Sequence, residues 1–437
     1  MDKKVKKVRV LYGKEGMELS VPASADVLAG QDIAAIPDSS RAVAEALANP
    51  IGTVSLKGLL EAKKPSSVAI TISDITRPVP NKEFLPAIFE VLGEVGIKDS
   101  QVVIIIGTGM HRASTAKERE ILLGSDIIKR FEVIDHTADK PETLVTVSDD
   151  PLVRVCRRFA EADFKIVTGY IESHFMAGFS GGRKGVFPAL VDLETVQRFH
   201  GYETLSNTKA DTGVLGGNPC HEIALEIAKA VGVDFLFNVA ITKDKEIAGI
   251  YCGDIEKAHL AGCREVAEWT SAYIEEPYDL VITNGGGYPL DQTFYQTVKG
   301  MCCALPALKK GSTVLVVSNC SEGLGSKAYG ELMLKYNNDW KAFLGDIASE
   351  ADKTLLDQWQ YQMQARVLEV IGLEKLWFVS DGIPVEIQKK LSLNPVSGEG
   401  GAVVRAQRAI DEYVAENDNA RIAVISEGPY TMIRTSN

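Results

Sequence analysis

The sequence predicts an α/β chain of two domains, each a mainly parallel sheet with helices on both faces. Three observations lead there. From Ser67 onward, short apolar runs of strand length (VAITIS, VVIIIG, FEVID) alternate with stretches of helical period, the rhythm that parallel strands and their crossover helices impose. After the acidic EEPYD the same rhythm returns with DLVITN, STVLVVSN, LWFVSDG and RIAVISEG, which suggests a second, independent doubly wound sheet. The chain has 437 residues, more than one hydrophobic core normally supports. We therefore expect an N-terminal α/β domain over 1–272 and a C-terminal one over 273–437, with the functional site in the cleft between them.

Taken in order, Lys7 to Tyr12 and Met17 to Val21 alternate apolar and polar residues around GKEG, which predicts an opening hairpin. Ser40 is placed to cap an alanine-rich helix. Strand VAITIS leads into the loop SDITRPVPN, a helix follows from about Glu83 to Val95, and strand VVIIIG precedes a helix starting near Ser114. FEVID runs up to His136, and an apolar strand from Phe164 to Thr168 reaches Gly169. From Val167 to Glu203 no period is sustained outside a helical LETVQRF, so a long, shaped loop is expected; loops of that kind inside a compact domain are usually functional. Val233 to Ile250 reads as a further hairpin, and Glu256 to Glu275 as an amphipathic helix.

Lys plus Arg number 47 against 59 Asp plus Glu, and the resulting net charge of −12 argues against general affinity for nucleic acid or anionic membrane. The seven cysteines are scattered, odd in number and without a C-x-x-C pair, which fits buried thiols in a reducing compartment. MDKKVKKVRV lacks an apolar signal core, and no apolar run reaches the roughly 18 residues of a membrane span. A soluble, cytoplasmic protein is expected.

Candidate chemistry collects where apolar strands end. VAITIS delivers Asp74, Thr76 and Arg77 to a sheet edge, Arg77 with a planar fork for phosphate or carboxylate and Asp74 for a ribose hydroxyl; the plain alternative is a turn fixed by Pro78 and Pro80. VVIIIG likewise presents His111, and the strand before Gly169 presents His174. Both are candidate acid/base groups, because imidazole exchanges protons near neutrality. Lys184 stands among Gly181, Gly182 and Gly185, where backbone can approach a ligand closely; a phosphate-binding glycine loop with structural histidines is the competing reading. His136 and His221 lack such surroundings and read as structural. His200 follows LETVQRF as a helix-end cap or a metal ligand, although no H-E-x-x-H or Cys/His framework accompanies it. Gly285, Gly286 and Gly287 join a strand to a helix and suggest an anion-attracting place. On that helix Gln296 and Lys299 share a face and could hold a small carboxylate, or form a solvated face. A G-x-G-x-x-G dinucleotide motif is absent, which argues against a nicotinamide dehydrogenase.

Together SDITRPVPN, GTGMHR, GYIESHFMAGFSGGRKG, FHGYE and LDQTFYQTVKG, spread over roughly residues 70–300, resemble the lactate racemase family of nickel-dependent enzymes that interconvert enantiomers of 2-hydroxy acids. The resemblance implies nickel held in a nickel-pincer nucleotide, a pyridinium-3,5-bisthiocarboxylate mononucleotide tethered to Lys184. It further implies His200 as nickel ligand, Asp74, Ile75, Thr76 and Arg77 as cofactor-binding residues, His111 and His174 as the acid/base pair, and Gln296 and Lys299 as substrate contacts. The implied chemistry is racemisation at C2 by reversible hydride transfer, with a 2-keto acid intermediate and a histidine taking the hydroxyl proton, two histidines serving the two enantiomers. Lactate, malate, aryl-lactate and aldonate all remain open as substrates, and a noncatalytic nucleotide-binding or cofactor-carrying protein is the alternative. Expected partners are the small-molecule 2-hydroxy acid and the cofactor-synthesis proteins needed for maturation, with neither nucleic acid nor membrane; a homodimer is left open.

Overall fold

A computed structural model of the chain describes residues 4–436; residues 1–3 and Asn437, at the outer ends of the two expected domains, lie outside the described residues. The chain forms two compact units. One comprises Asp32–Phe199 and Lys209–Trp269, and the other the chain up to Gln31, His200–Thr208 and everything from Thr270 onward.

The first unit is built on a six-stranded sheet in the spatial order Ile247–Gly253, Phe235–Ile241, Phe164–Tyr170, Val68–Ser73, Val102–Gly107, Glu132–Asp135. Every neighbouring pair is parallel except the outer Ile247–Gly253, which returns antiparallel from the expected hairpin. Val68–Ser73 is central and buried nearly throughout, which is why it reads as a continuous apolar run rather than an alternating one. Ser73 lies opposite Gly107, and Thr71 opposite Val167, so three adjacent strands release their chains at one edge. The helix Asn81–Glu94 covers one face with Phe84, Leu85, Ile88, Phe89 and Leu92, the three-and-four spacing of a buried stripe. Phe84 stacks on Phe237 at 4.7 Å between ring centroids. Each such side chain contributes about 1.5–3 kcal/mol on burial.

The second unit carries a wholly parallel six-stranded sheet in the order Asn394–Pro395, Leu376–Val379, Leu308–Val317, Tyr278–Asn284, Ile422–Ile425, Asp26–Leu28. From the strand Leu376–Val379, the indole of Trp377 packs edge-on against Tyr413 of the covering helix Ala402–Glu416. The edge strand Asp26–Leu28 comes from the N-terminal part of the chain and pairs with Ile422–Ile425. The opening hairpin, Val5–Val10 with Met17–Pro22, is present as expected, and its inner residues Val8, Val10, Met17, Leu19 and Val21 share one core with Leu280, Ile282, Val424 and Ala406. The expected boundary at 272 puts this hairpin in the N-terminal domain, whereas it packs with the C-terminal sheet. Alternation identifies which face of a hairpin is apolar and carries no information about which core receives that face.

Three local expectations also differ. Asp38, not Ser40, caps the first helix (Ser39–Ala48), its carboxylate accepting from the Arg41 amide at 3.0 Å, while Ser40 lies inside the first turn. The helix expected over 256–275 stops at Thr270, and Ser271–Ile274 forms a short strand parallel to Met432–Thr435. The irregular stretch over 167–203 contains a two-residue antiparallel pair (Ser173–His174 with Gly178–Phe179), a 3-10 turn at Gly182–Gly185 and the helix Leu193–Phe199. All seven cysteines are buried. No helix among the described residues is long and apolar enough to cross a membrane.

Candidate active site

In the first unit the site is assembled from chain leaving the carboxyl ends of adjacent parallel strands. Asp74 follows Ser73 directly and folds into a tight turn: its Oδ1 accepts from the Thr76 amide at 3.2 Å and from the Thr76 hydroxyl at 2.5 Å, and its carbonyl accepts from the Arg77 amide at 3.1 Å. Ile75 turns back onto the core. The other carboxylate oxygen, Oδ2, lies 2.6 Å from Nδ1 of His111, which the neighbouring strand Val102–Gly107 delivers. Burial pushes the Asp74 carboxyl up, but hydrogen bonds from His111 and Thr76 and the charges of His111 and Arg77 outweigh it and hold the group below the usual carboxylate range. Both oxygens of Asp74 are thus engaged within the chain, Oδ1 by Thr76 and Oδ2 by His111. The Asp74 side chain is 9% exposed and that of His111 56%, so the far edge of the imidazole is open.

His174 stands on the short strand Ser173–His174, beyond the end of Phe164–Tyr170. Its Nδ1 accepts from the backbone amides of Met176 at 3.3 Å and Ala177 at 3.2 Å. The loop is held from inside by Arg183, whose side chain is fully buried and donates to the carbonyls of Ala177 at 2.7 Å and Gly181 at 3.2 Å, with His259 Nε2 at 3.1 Å. Burial lowers the Arg183 guanidinium to about 10 and His259 well below its ordinary value. Two glycines make this packing possible. A Cβ on Gly182 would fall 2.5 Å from the His259 ring, and one on Gly185 would fall 2.4 Å from Cγ1 of Val167, on the central part of the sheet. The Gly182 amide donates to Oδ1 of the buried Asn238 at 2.6 Å. Lys184 rides on this turn, half-buried.

The second unit holds the remaining candidates. His200 sits between the helices Leu193–Phe199 and Tyr202–Ser206, and its ring lies 4.9 Å from that of Trp359. The indole Nε1 of Trp359 donates to the Tyr295 hydroxyl at 2.8 Å, and Tyr295 precedes Gln296 on the helix Phe294–Cys302. Gln362, one turn beyond Trp359, donates to the Tyr202 carbonyl at 3.0 Å and to Ser206 at 3.2 Å. Gln296 and Lys299 are both half-buried on one helix face, and Oε1 of Gln296 is buried with no hydrogen-bond partner among the described residues.

The glycine triplet does not form the expected anion site. The Gly285 amide donates to the Val317 carbonyl at 3.0 Å and the Gly286 amide to Asn284 Oδ1 at 2.9 Å, while Thr293 caps the following helix by accepting from the Gln296 amide at 3.4 Å. The N-terminal hairpin closes over the same edge, with the Gly13 amide donating to Asp291 Oδ2 at 2.7 Å. Of the two histidines read as structural, His136 bonds the Val191 carbonyl through Nε2 at 2.9 Å, and burial lowers His221 to about 4.

The structure therefore gathers Asp74, Thr76, Arg77, His111, His174 and Lys184 in the unit whose adjacent strands end at one sheet edge, and places His200, Gln296 and Lys299 in the other unit. Sequence reasoning passed over Arg183, Asn238, Tyr295 and Trp359. Asn238 left a trace, as the one polar residue in the strand FLFNVAI, and QWQYQMQ left another, since alternate glutamines do not suit an ordinary amphipathic helix.

Comparison with known proteins gives a concordant result. Residues 12–213 match the lactate racemase N-terminal domain and residues 274–433 the lactate racemase C-terminal domain. The lactate racemase of Thermoanaerobacterium thermosaccharolyticum is 35% identical over 396 residues, 90% of this chain and 90% of that protein. That of Lactiplantibacillus plantarum is 34% identical over 390 residues, 88% and 89% of the two chains. The solved structure of the Thermoanaerobacterium thermosaccharolyticum lactate racemase apoprotein superposes with a TM-score of 0.89 at 31% identity, covering 98% of this chain and 100% of that one. With both halves matched in order and nearly the whole length covered, the chain belongs to the lactate racemase family of isomerases.

Proposed function

We propose that this chain interconverts the enantiomers of lactate, or of a closely related 2-hydroxy acid, by moving the C2 hydrogen as hydride to a nickel-pincer nucleotide and back, through a 2-keto acid. The observation that carries the reading is the Asp74–His111 pair, at 2.6 Å, in the unit that also bears His174 and Lys184, in a chain matched along its length by lactate racemases. A hydrogen beside a carboxylate is poorly acidic, so its removal as a proton would leave a dianionic carbon centre. Removal as hydride asks the protein only to handle the hydroxyl proton, which is work for histidine.

The residues present fit such a cofactor. Lys184 lies on a turn where Gly182 and Gly185 admit no side chain, so the backbone comes close to Val167 and to Thr71 on the strand that releases the Thr76 and Arg77 turn. In this reading Lys184 tethers the nucleotide, Thr76 and Arg77 bind its anionic part, Asp74 and Ile75 shape the turn, and His200 ligates nickel. When bound, the group supplies an electrophilic acceptor for hydride. Lys299, through its ammonium, and Gln296, through its side-chain N–H groups, hold the substrate carboxylate. His111 and His174 manage the hydroxyl proton. Cofactor-synthesis proteins are required partners, and the cytoplasm is the proposed location. Protein produced with that machinery should convert either enantiomer of lactate into a mixture of both, read by chiral chromatography. Nickel-loaded protein that leaves lactate, malate, aryl-lactate and aldonates unchanged would contradict the proposal.

A further inference from the structure

The turn that follows His200 is too short to hold itself in place. Tyr202–Ser206 is a single helical turn, entered through Gly201 without a side-chain cap, and one turn of helix is unstable alone because nucleation outweighs its few hydrogen bonds. The helix Gln358–Ile371, which belongs with His200–Thr208 to the second unit, supplies the anchor. Gln362 on that helix is 2% exposed, and its Nε2 donates to the Tyr202 carbonyl at 3.0 Å and to the Ser206 hydroxyl at 3.2 Å, so one amide grips the first and last residues of the turn. A carbonyl oxygen only accepts, so the nitrogen end of the amide must face it. Trp359, three residues earlier and on the same helix face, sets its ring 4.9 Å from that of His200. The helix is fixed elsewhere by its other glutamines: Gln364 donates through Nε2 to the carbonyls of Leu391 at 2.7 Å and Ser392 at 3.0 Å, and Gln360 donates to that of Tyr295. The alternate glutamines of QWQYQMQ are thus side-chain ties, and one of them leads to the segment of His200.

We infer that Gln362 is a positioning residue for His200: by fixing Tyr202, two residues beyond, it holds the imidazole against Trp359 in the place from which it ligates nickel. This rests on the proposed reading of His200 as nickel ligand and deepens it. An imidazole on a wandering turn must be ordered each time the bond forms, and that lost freedom weakens the bond; a turn already pinned at both ends avoids the loss. Outer-shell partners of a metal ligand are typically worth about 10–100-fold in metal affinity. Gln362 holds the ligand's backbone rather than its ring, so an effect at the low end, about tenfold, is expected. The effect is separable from ordinary packing. Oε1 of Gln362 is buried with no hydrogen-bond partner among the described residues, which offsets part of what Nε2 contributes to stability. Gln364 supplies a matched comparison: it is 0% exposed on the same helix, its Nε2 also serves two acceptors, and its Oε1 likewise has no partner among the described residues. It differs in leading to Leu391 and Ser392 instead of the turn after His200.

The test compares holoprotein of wild type, Q362M and Q364M, since methionine keeps the length of the side chain and removes both polar atoms of the amide. Three quantities are read: the rate at which nickel is lost to excess EDTA, the visible absorption of the bound nickel, and the urea unfolding midpoint. The two variants should shift the midpoint by similar, small amounts. Only Q362M should lose nickel faster, by about tenfold, and only Q362M should shift the nickel absorption bands. Nickel loss at the wild-type rate in Q362M overturns the inference. Equal acceleration in Q362M and Q364M also overturns it, because that would be general loosening of the helix. If Q362M does not fold, S206A decides: at an exposed position it removes the 3.2 Å bond alone and should speed nickel loss about threefold, and a wild-type rate there overturns the inference. H200A separates the two levels. Nickel held at the wild-type rate in H200A would fail the reading of His200 as ligand together with this inference, whereas nickel lost from H200A but held normally by Q362M would fail the inference alone.

Discussion

Asp74→Asn separates the roles of the turn most cleanly, because asparagine keeps the size of the side chain and changes only what it offers. Oδ1 can go on accepting from the Thr76 amide and hydroxyl, at 3.2 and 2.5 Å. The second arm then becomes an NH2 facing His111 Nδ1, and the ring must answer with a bare nitrogen there and its hydrogen on Nε2. His111 is left in the wrong tautomer for a base, and the charge that stabilised its protonated form is gone. Where an aspartate orients a buried catalytic histidine, this change lowers kcat by about 10⁴-fold. The His111 side chain is 56% exposed, so water screens the pair and lets the ring re-orient; a loss on the order of 10²–10³-fold is expected. Stability should change by less than about 1 kcal/mol, since the pair is partly open to solvent. The assay is racemisation of each enantiomer by holoenzyme, with nickel and covalent adduct measured on the same sample. Wild-type kcat, or a loss that only tracks missing cofactor, would refute the view that Asp74 serves His111.

Lys184→Ala should abolish covalent attachment of the cofactor while the fold persists, and peptide mass spectrometry decides it; an adduct retained by the variant would remove Lys184 as the tether. His200→Ala should lower nickel retention far more than stability, and unchanged nickel stoichiometry would exclude His200 from the metal's surroundings. Arg183→Met removes the donors to two buried carbonyls, each worth about 1–3 kcal/mol, partly offset by relief of a buried cation, so a net loss of about 2–4 kcal/mol is expected in urea unfolding. An unchanged unfolding midpoint would show that the guanidinium contributes no net stability.

The parallel sheets were legible because strands buried on both faces read as unbroken apolar runs, as VAITIS and VVIIIG do, and because the helices beside them carry a three-and-four stripe. Strand ends were legible for the same reason, so Asp74, His111 and His174 could be placed at strand ends from their position after apolar runs alone. Long-range partners were not. The pairing of Asp26–Leu28 with Ile422–Ile425 joins segments near opposite ends of the chain, and no local pattern encodes it. The glycine triplet misled because three glycines state only that side chains are unwelcome; the structure fills the space with its own hairpin, whose Leu11 and Gly13 approach Gly287 and whose Gly13 amide donates to Asp291. Arg183 was hidden beside Lys184, since a sequence does not distinguish a cation turned to a ligand from one buried against carbonyls of its own loop. What faces Nδ1 in each ring, a carboxylate at His111 and backbone amides at His174, lay beyond sequence reading altogether.

The central claim, hydride rather than proton transfer at C2, is tested most directly with holoenzyme and lactate deuterated at C2. Transfer within a closed site should carry most of the deuterium through inversion to the product enantiomer, with transient 2-keto acid detectable after quenching. Rapid washout of the label into water with no keto acid formed would contradict the account, even if both histidines proved essential.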